Sequence, residues 1–140
     1  MKSTYYLKKR GIKMKKKIAF VCVHNACRSQ IAEALGNKFL SEKYAFYSCG
    51  TKIKSEINPD AIRLMKEIYA IDMEKTHYCK LMEEIPDADI IISMGCQVEC
   101  PYIGREFDEN WQLEDPTGKG DIVFRETIRK IEDKIKLLHY

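Results

Sequence analysis

No stretch of this 140-residue chain approaches the roughly 18 consecutive apolar residues of a membrane-spanning helix. The basic residues near the N-terminus lead into no apolar run of secretory length, because Ile18–Val23 is too short. The expectation is a cytoplasmic protein without a membrane partner. Internal repeats, linkers and low-complexity segments are also missing, which leaves one domain, and a chain of this length buries an adequate core without disulfides or metal. In a reducing compartment, six cysteines are then read first as catalytic, redox or metal-binding residues rather than as structural bridges.

Acidic residues are absent from the first 17 positions, which carry eight basic ones. The other 123 residues hold 16 basic and 21 acidic side chains, a net of −5. A basic arm suits nucleic acid or anionic lipid, but the acidic body argues against a nucleic-acid enzyme. Residues 1–14 are read as a poorly ordered basic extension, and 15–140 as the single folded domain.

What the chain does contain is Cys22-Val23-His24-Asn25-Ala26-Cys27-Arg28-Ser29. Ile18–Val21 before it is long enough for one buried strand, and Ile31, Ala32, Leu35 and Phe39 after it recur at helical spacing. The eight residues are therefore a strand-to-helix turn, which aims successive backbone N–H groups and the positive end of a helix dipole at one point. Arg28 adds a planar fork of donors suited to a tetrahedral oxyanion. Cys22 at the strand tip faces that anion, in a field that favours the thiolate. Val23, His24, Asn25, Ala26, Cys27 and Arg28 are the expected oxyanion-binding residues, and Asn25 tolerates a left-handed backbone. His24 either biases Cys22 toward thiolate or is a permissive loop position.

This stretch resembles the signature loop of the low-molecular-weight tyrosine phosphatases and the thioredoxin-coupled arsenate reductases, which share one fold. Gln30 looks like the reductase branch, since the phosphatases usually carry Pro there. Met14 and its three following lysines resemble a normal start of the family.

The remaining pattern alternates short apolar runs with amphipathic helices. Helices are expected over 29–41, from Asn58-Pro59-Asp60 onward with the face Ala61, Ile62, Met65 and Ile68, and over 121–138 with the face Phe124, Ile128, Ile131, Ile135 and Leu138. Strands are expected at Phe46–Ser48, Ala88–Met94 and, weakly, Trp111–Leu113. The class is α/β with a parallel sheet. The resemblance implies four strands in a three-layer, flavodoxin-like arrangement, with Cys22 and Cys96 at one sheet edge.

Asp115, in the turn Asp115-Pro116-Thr117-Gly118, suits a proton donor to a departing oxygen, and matches the family's general-acid position. The aromatic residues with which the phosphatases follow Asp-Pro are missing. Cys96 and Cys100 stand at i and i+4, on one face if the segment is helical, where a modest unwinding would join them in a reducible disulfide. The resemblance places the second and third redox cysteines of the reductases there, and implies that Ser29 steadies the Cys22 thiolate. It also implies a potassium ion near Asn25, Glu33, Ser48 and Asp72, and no tightly bound cofactor. Cys49 and Cys79 read as structural, and His77 and His139 carry no signal.

Arsenate is the expected substrate, phosphate and sulfate are competing oxyanions, and thioredoxin or a similar protein is the expected electron donor. A phosphatase would need only Cys22, Arg28 and Asp115. A metal or arsenite sensor would use Cys22, Cys27, Cys96 and Cys100 as thiolate ligands.

Overall fold

A computed structural model describes residues 14–52, 56–95 and 104–140. The basic extension up to residue 13 lies outside the described residues. Four strands, β1 (Lys16–Cys22), β2 (Tyr44–Gly50), β3 (Ile90–Ser93) and β4 (Glu109–Asn110), form one parallel sheet in the order β2-β1-β3-β4. The helices are α1 (Arg28–Leu40), α2 (Pro59–Tyr69), the short α3 (Met73–Thr76) and α4 (Asp121–Lys136).

The apolar run of β1 is continuous because this central strand is covered on both faces. Alternation along it builds two clusters. Ile18 and Phe20 point into the larger one, with Ile31 and Leu35 of α1, Leu64 and Met65 of α2, and Phe124, Ile128 and Ile131 of α4. Val21 joins Cys49 and Ile91 in a smaller cluster, covered by Met82, Ile85, Ala88 and Phe107. The layers are thus helices, sheet, and an irregular segment containing one 3-10 turn, Met82–Glu84. Since β1 lies between β2 and β3, the chain reverses direction across the sheet at the carboxyl ends of β1 and β3, where α/β sheets bind ligands.

Three expectations are corrected. The fourth strand is Glu109–Asn110, not Trp111–Leu113. Gln112 has φ +50°, which breaks the ladder, while Trp111 turns inward against Phe20 with ring centroids 5.3 Å apart. On α2 the buried residues are Ala61, Leu64 and Met65, and Ile68 is exposed. The last helix ends at Lys136, although Leu138 beyond it is still buried.

Gly36, a weak helix former inside α1, lies flat against Phe46. A Cβ there would come within 2.6–2.8 Å of the buried ring. Gly36→Val is expected to lower stability by about 1–3 kcal/mol through overpacking. An unchanged or higher denaturation midpoint would show that the ring moves aside freely.

Candidate active site

The turn between β1 and α1 is held from outside by its carbonyl groups. Val23 O accepts from the N–H groups of Thr51 (2.8 Å) and Lys52 (2.9 Å), and Ala26 O accepts from Asn58 N–H (2.8 Å). Asn25 O accepts from Gln30 Nε2 at 2.9 Å. In a planar trans peptide, a carbonyl drawn outward turns the next N–H the opposite way. The amides of His24, Ala26 and Cys27 therefore face the inside of the loop, joined by the first N–H groups of α1. Asn25 makes the reversal possible, with φ +55°. Gly50, paired with Cys22 across the sheet, supports the turn from below. A Cβ on Gly50 would meet Val23 O at 2.7 Å and Asn25 N at 2.8 Å, so only glycine fits.

Beneath the loop a hydrogen-bond chain ends on Cys22. Lys80 N–H donates to Asn25 Oδ1 at 2.9 Å, and a backbone N–H is only ever a donor. That bond fixes the orientation of the amide, and Gln30 Nε2 donates to the same oxygen at 2.8 Å. Asn25 Nδ2 must then donate to Ser29 Oγ, 2.9 Å away. The Ser29 hydroxyl, which accepts from Asn25, lies 2.8 Å from Cys22 Sγ and is placed to donate to that sulfur when it is a thiolate. Asn25, Ser29 and Gln30 are fully buried, so each bond works in a low-dielectric setting. The neighbouring thiols are kept neutral. Burial, then the charges of Asp115 and Cys22, pushes Cys27 up to about 12. Burial, then Cys22, pushes Cys49 up to about 12.

Arg28 projects from the first turn of α1, and its Nη1 donates to Leu113 O (2.6 Å) and Met94 O (3.3 Å). Anchored by one amino group, the guanidinium can present its Nε and Nη2 edge to an oxyanion. Neither carbonyl partner was foreseen from sequence. A cavity of about 380 Å³ collects Cys22, Arg28 and Asp115, with Ile57 and Asn58 from the approach to α2. His24 is exposed at its wall, and the described lining holds no Phe, Tyr or Trp. Asp115 Oδ1 accepts from Thr117 N–H (3.1 Å) and Thr117 Oγ1 (2.7 Å). Burial raises the Asp115 pKa, but the Thr117 bonds, Arg28 and Lys119 together bring it below the ordinary carboxylate value. Cys96 and Cys100 lie outside the described residues. Met94 and Gly95, which precede them in sequence, reach this edge of the sheet, and Met94 N–H bonds Val21 O at 3.0 Å.

The residues expected around a potassium ion are engaged with the protein itself. Glu33 accepts from Ser48 Oγ at 3.1 Å, its Oε1 lies 3.7 Å from Lys80 Nζ, and its Oε2 lies 3.0 Å from His77 Nε2. Asn25 Oδ1 already takes two donors, and Asp72 faces Lys75 at 3.8 Å. This set does not fit a potassium ion: the cation beside Glu33 is the half-buried lysine. Lys80 and His77 gave no signal in the sequence, because both come from an irregular segment. Among the described residues no His, Cys, Asp and Glu cluster suits a metal.

The converging donors above the Cys22 thiol have the geometry to match a tetrahedral oxyanion. Fold and loop together define an α/β domain with a cysteine set in a loop of converging backbone donors beside an arginine. The comparisons agree. The chain belongs to the low molecular weight phosphotyrosine protein phosphatase family, whose model matches residues 17–140. Among its relatives, the glutaredoxin arsenate reductase of Synechocystis sp. is 36% identical over 127 residues, covering 88% of this chain and 95% of that protein. A solved arsenate reductase in its phosphate-binding state superimposes with a TM-score of 0.74 at 36% identity, over 86% of this chain and 94% of the other. The thioredoxin-dependent arsenate reductase of Corynebacterium glutamicum gives 0.66 at 29% identity, over 92% of this chain and 62% of that one.

With Lys80 beside Glu33, the thermal midpoint is expected to be the same in KCl and NaCl at equal ionic strength. Lys80→Met, which strands the carboxylate, should cost up to about 3 kcal/mol. A midpoint that rises specifically with potassium would show that an ion binds after all.

Proposed function

We propose that this protein reduces arsenate to arsenite through a Cys22 adduct and a relay of three cysteines. The observation that carries this reading is the cavity: an oxyanion cradle whose described wall has no aromatic ring to embrace a phosphotyrosine. The names of the relatives support it, and so does the cysteine inventory, since a phosphatase has no use for Cys96 and Cys100. Arsenate binds the loop amides and Arg28. Cys22 thiolate attacks arsenic, and Asp115 protonates the departing hydroxide, which leaves as water. Cys96 thiolate then attacks the Cys22 sulfur. The S–As bond breaks with its electron pair on arsenic, so As(V) becomes As(III) as a Cys22–Cys96 disulfide forms. Cys100 thiolate attacks Cys96, freeing Cys22 and leaving Cys96–Cys100.

A dithiol protein of the thioredoxin type reduces that last disulfide, in the cytoplasm, where thiols are kept reduced. Phosphate and sulfate compete for the cradle. Hydrolysis of small phosphate esters is the second reading, because Cys22, Arg28 and Asp115 suffice for it.

The deciding experiment sets arsenate-dependent NADPH oxidation with thioredoxin and thioredoxin reductase beside hydrolysis of an aryl phosphate, on the same sample. Turnover with arsenate is expected, and its absence beside brisk hydrolysis would return the phosphatase. Replacing thioredoxin by glutaredoxin and glutathione identifies the donor. Cys22→Ser should abolish both activities, because a serine hydroxyl is barely ionised at neutral pH. Cys100→Ser should release about one arsenite per protein and stop at Cys22–Cys96, whose sulfurs an external thiolate reaches poorly. Sustained wild-type turnover in that variant would remove Cys100 from the relay.

A further inference from the structure

Between the anion loop and the segment that carries Asp115 stands a residue with no part in the chemistry described so far. The backbone N–H of Asn58 donates to Ala26 O in the loop at 2.8 Å. Its Oδ1 accepts from the N–H groups of Asp60 (2.8 Å) and Ala61 (3.3 Å), capping α2. Those donors fix the amide's orientation, so Nδ2 is the atom that meets Thr117 Oγ1, 3.2 Å away. The Thr117 hydroxyl, having accepted, sends its hydrogen to Asp115 Oδ1 at 2.7 Å, and Thr117 N–H reaches the same oxygen at 3.1 Å.

We infer that Asn58 is a positioning residue for the proton transfer: acting through Thr117, it commits Asp115 Oδ1 to accepting, so that Oδ2 carries and delivers the proton. The inference rests on the reading of Asp115 as the general acid. A carboxyl that receives two donors on one oxygen is protonated on the other. The bond to Ala26 O gives the arrangement its register, because the residue that orients the acid also holds the loop that holds the anion. The charged and titratable groups facing Asp115 are Arg28 and Lys119, the latter paired with Glu114, together with Cys22, Cys27, His24 and Glu56 around the cavity. Asn58 and Thr117 are uncharged, so they act through orientation and hydrogen bonding. Both Thr117 bonds favour the carboxylate. Loss of the hydroxyl bond raises the Asp115 pKa and moves the alkaline limb of the rate, where the acid loses its proton, to higher pH.

The test is single-turnover arsenite formation by fully reduced protein across pH, for wild type, Asp115→Asn, Thr117→Val, Asn58→Ser and the doubles Asn58→Ser/Asp115→Asn and Asn58→Ser/Thr117→Val. Serine keeps a capping oxygen for α2 but cannot reach Thr117. Asn58→Ser is expected to slow the chemical step about 10–100-fold with little change in arsenate affinity. Its alkaline limb should move upward, toward but not beyond that of Thr117→Val, as the hydroxyl released from Asn58 turns away from Asp115; Thr117→Val leaves the α2 cap untouched. In the Asp115→Asn and Thr117→Val backgrounds it should add nothing further. Multiplicative slowing in either double, or an alkaline limb that stays in place in both single variants, overturns the inference. A wild-type rate for Asp115→Asn overturns the acid reading instead, and that result is seen before any Asn58 variant is compared.

Discussion

The backbone N–H of Lys80 ends 2.9 Å from Asn25 Oδ1, and the arrangement of the loop depends on that bond. It decides which end of a buried amide faces Ser29, whose hydroxyl lies 2.8 Å from Cys22 Sγ and can donate to the sulfur as a thiolate. The bond exists because the segment Tyr78–Leu81 is fastened beside the end of β2. Gly50 N–H donates to Lys80 O at 2.8 Å, Leu81 bridges Gly50, and Tyr78 O accepts from Gln30 Nε2 at 2.8 Å. Gly50 serves both sides of the contact, since its missing side chain lets the loop settle on β2.

Charge is distributed in the same economical way. Glu33, beneath the loop, would oppose a bound anion and a thiolate if it stood alone. Lys80 stands 3.7 Å from one of its oxygens and Ser48 donates to the same oxygen, so the buried carboxylate is compensated by the fold itself. Pairs of this kind add little net stability, but they fix which groups stay together. Above the loop the positive guanidinium of Arg28 is anchored on Leu113 O, at the head of the segment that leads to Asp115. Arg28 and Asp115 are therefore held on one connected framework, rather than on two independent loops.

Much of this was legible in the sequence. Local signals survive folding: the apolar run of β1, the Asn58-Pro59-Asp60 cap and the four-three spacing of the last helix all appear where they were read. The turn from Cys22 to Arg28 was legible because an apolar run precedes it and a helical period follows it. What could not be read was set by contacts between distant segments. Trp111–Leu113 has the composition of a strand, yet a left-handed Gln112 and the pull of Phe20 on Trp111 turn it into a connector. Ile68 fits the helical period of α2 but falls just outside the buried stripe, where Leu64 packs instead. Lys80, His77, Thr117 and the carbonyls of Met94 and Leu113 act through position alone, and no spacing rule announces them.

In the proposed reaction Cys22 and its partner thiols supply two electrons to a bound oxyanion. The most direct measurement mixes fully reduced protein with a modest excess of arsenate, without any external reductant, and counts arsenite released and thiols remaining under denaturing conditions. One arsenite and the loss of two thiols per chain are expected, with phosphate in place of arsenate leaving every thiol intact. An unchanged thiol count and no arsenite, from a sample that hydrolyses an aryl phosphate, would contradict it.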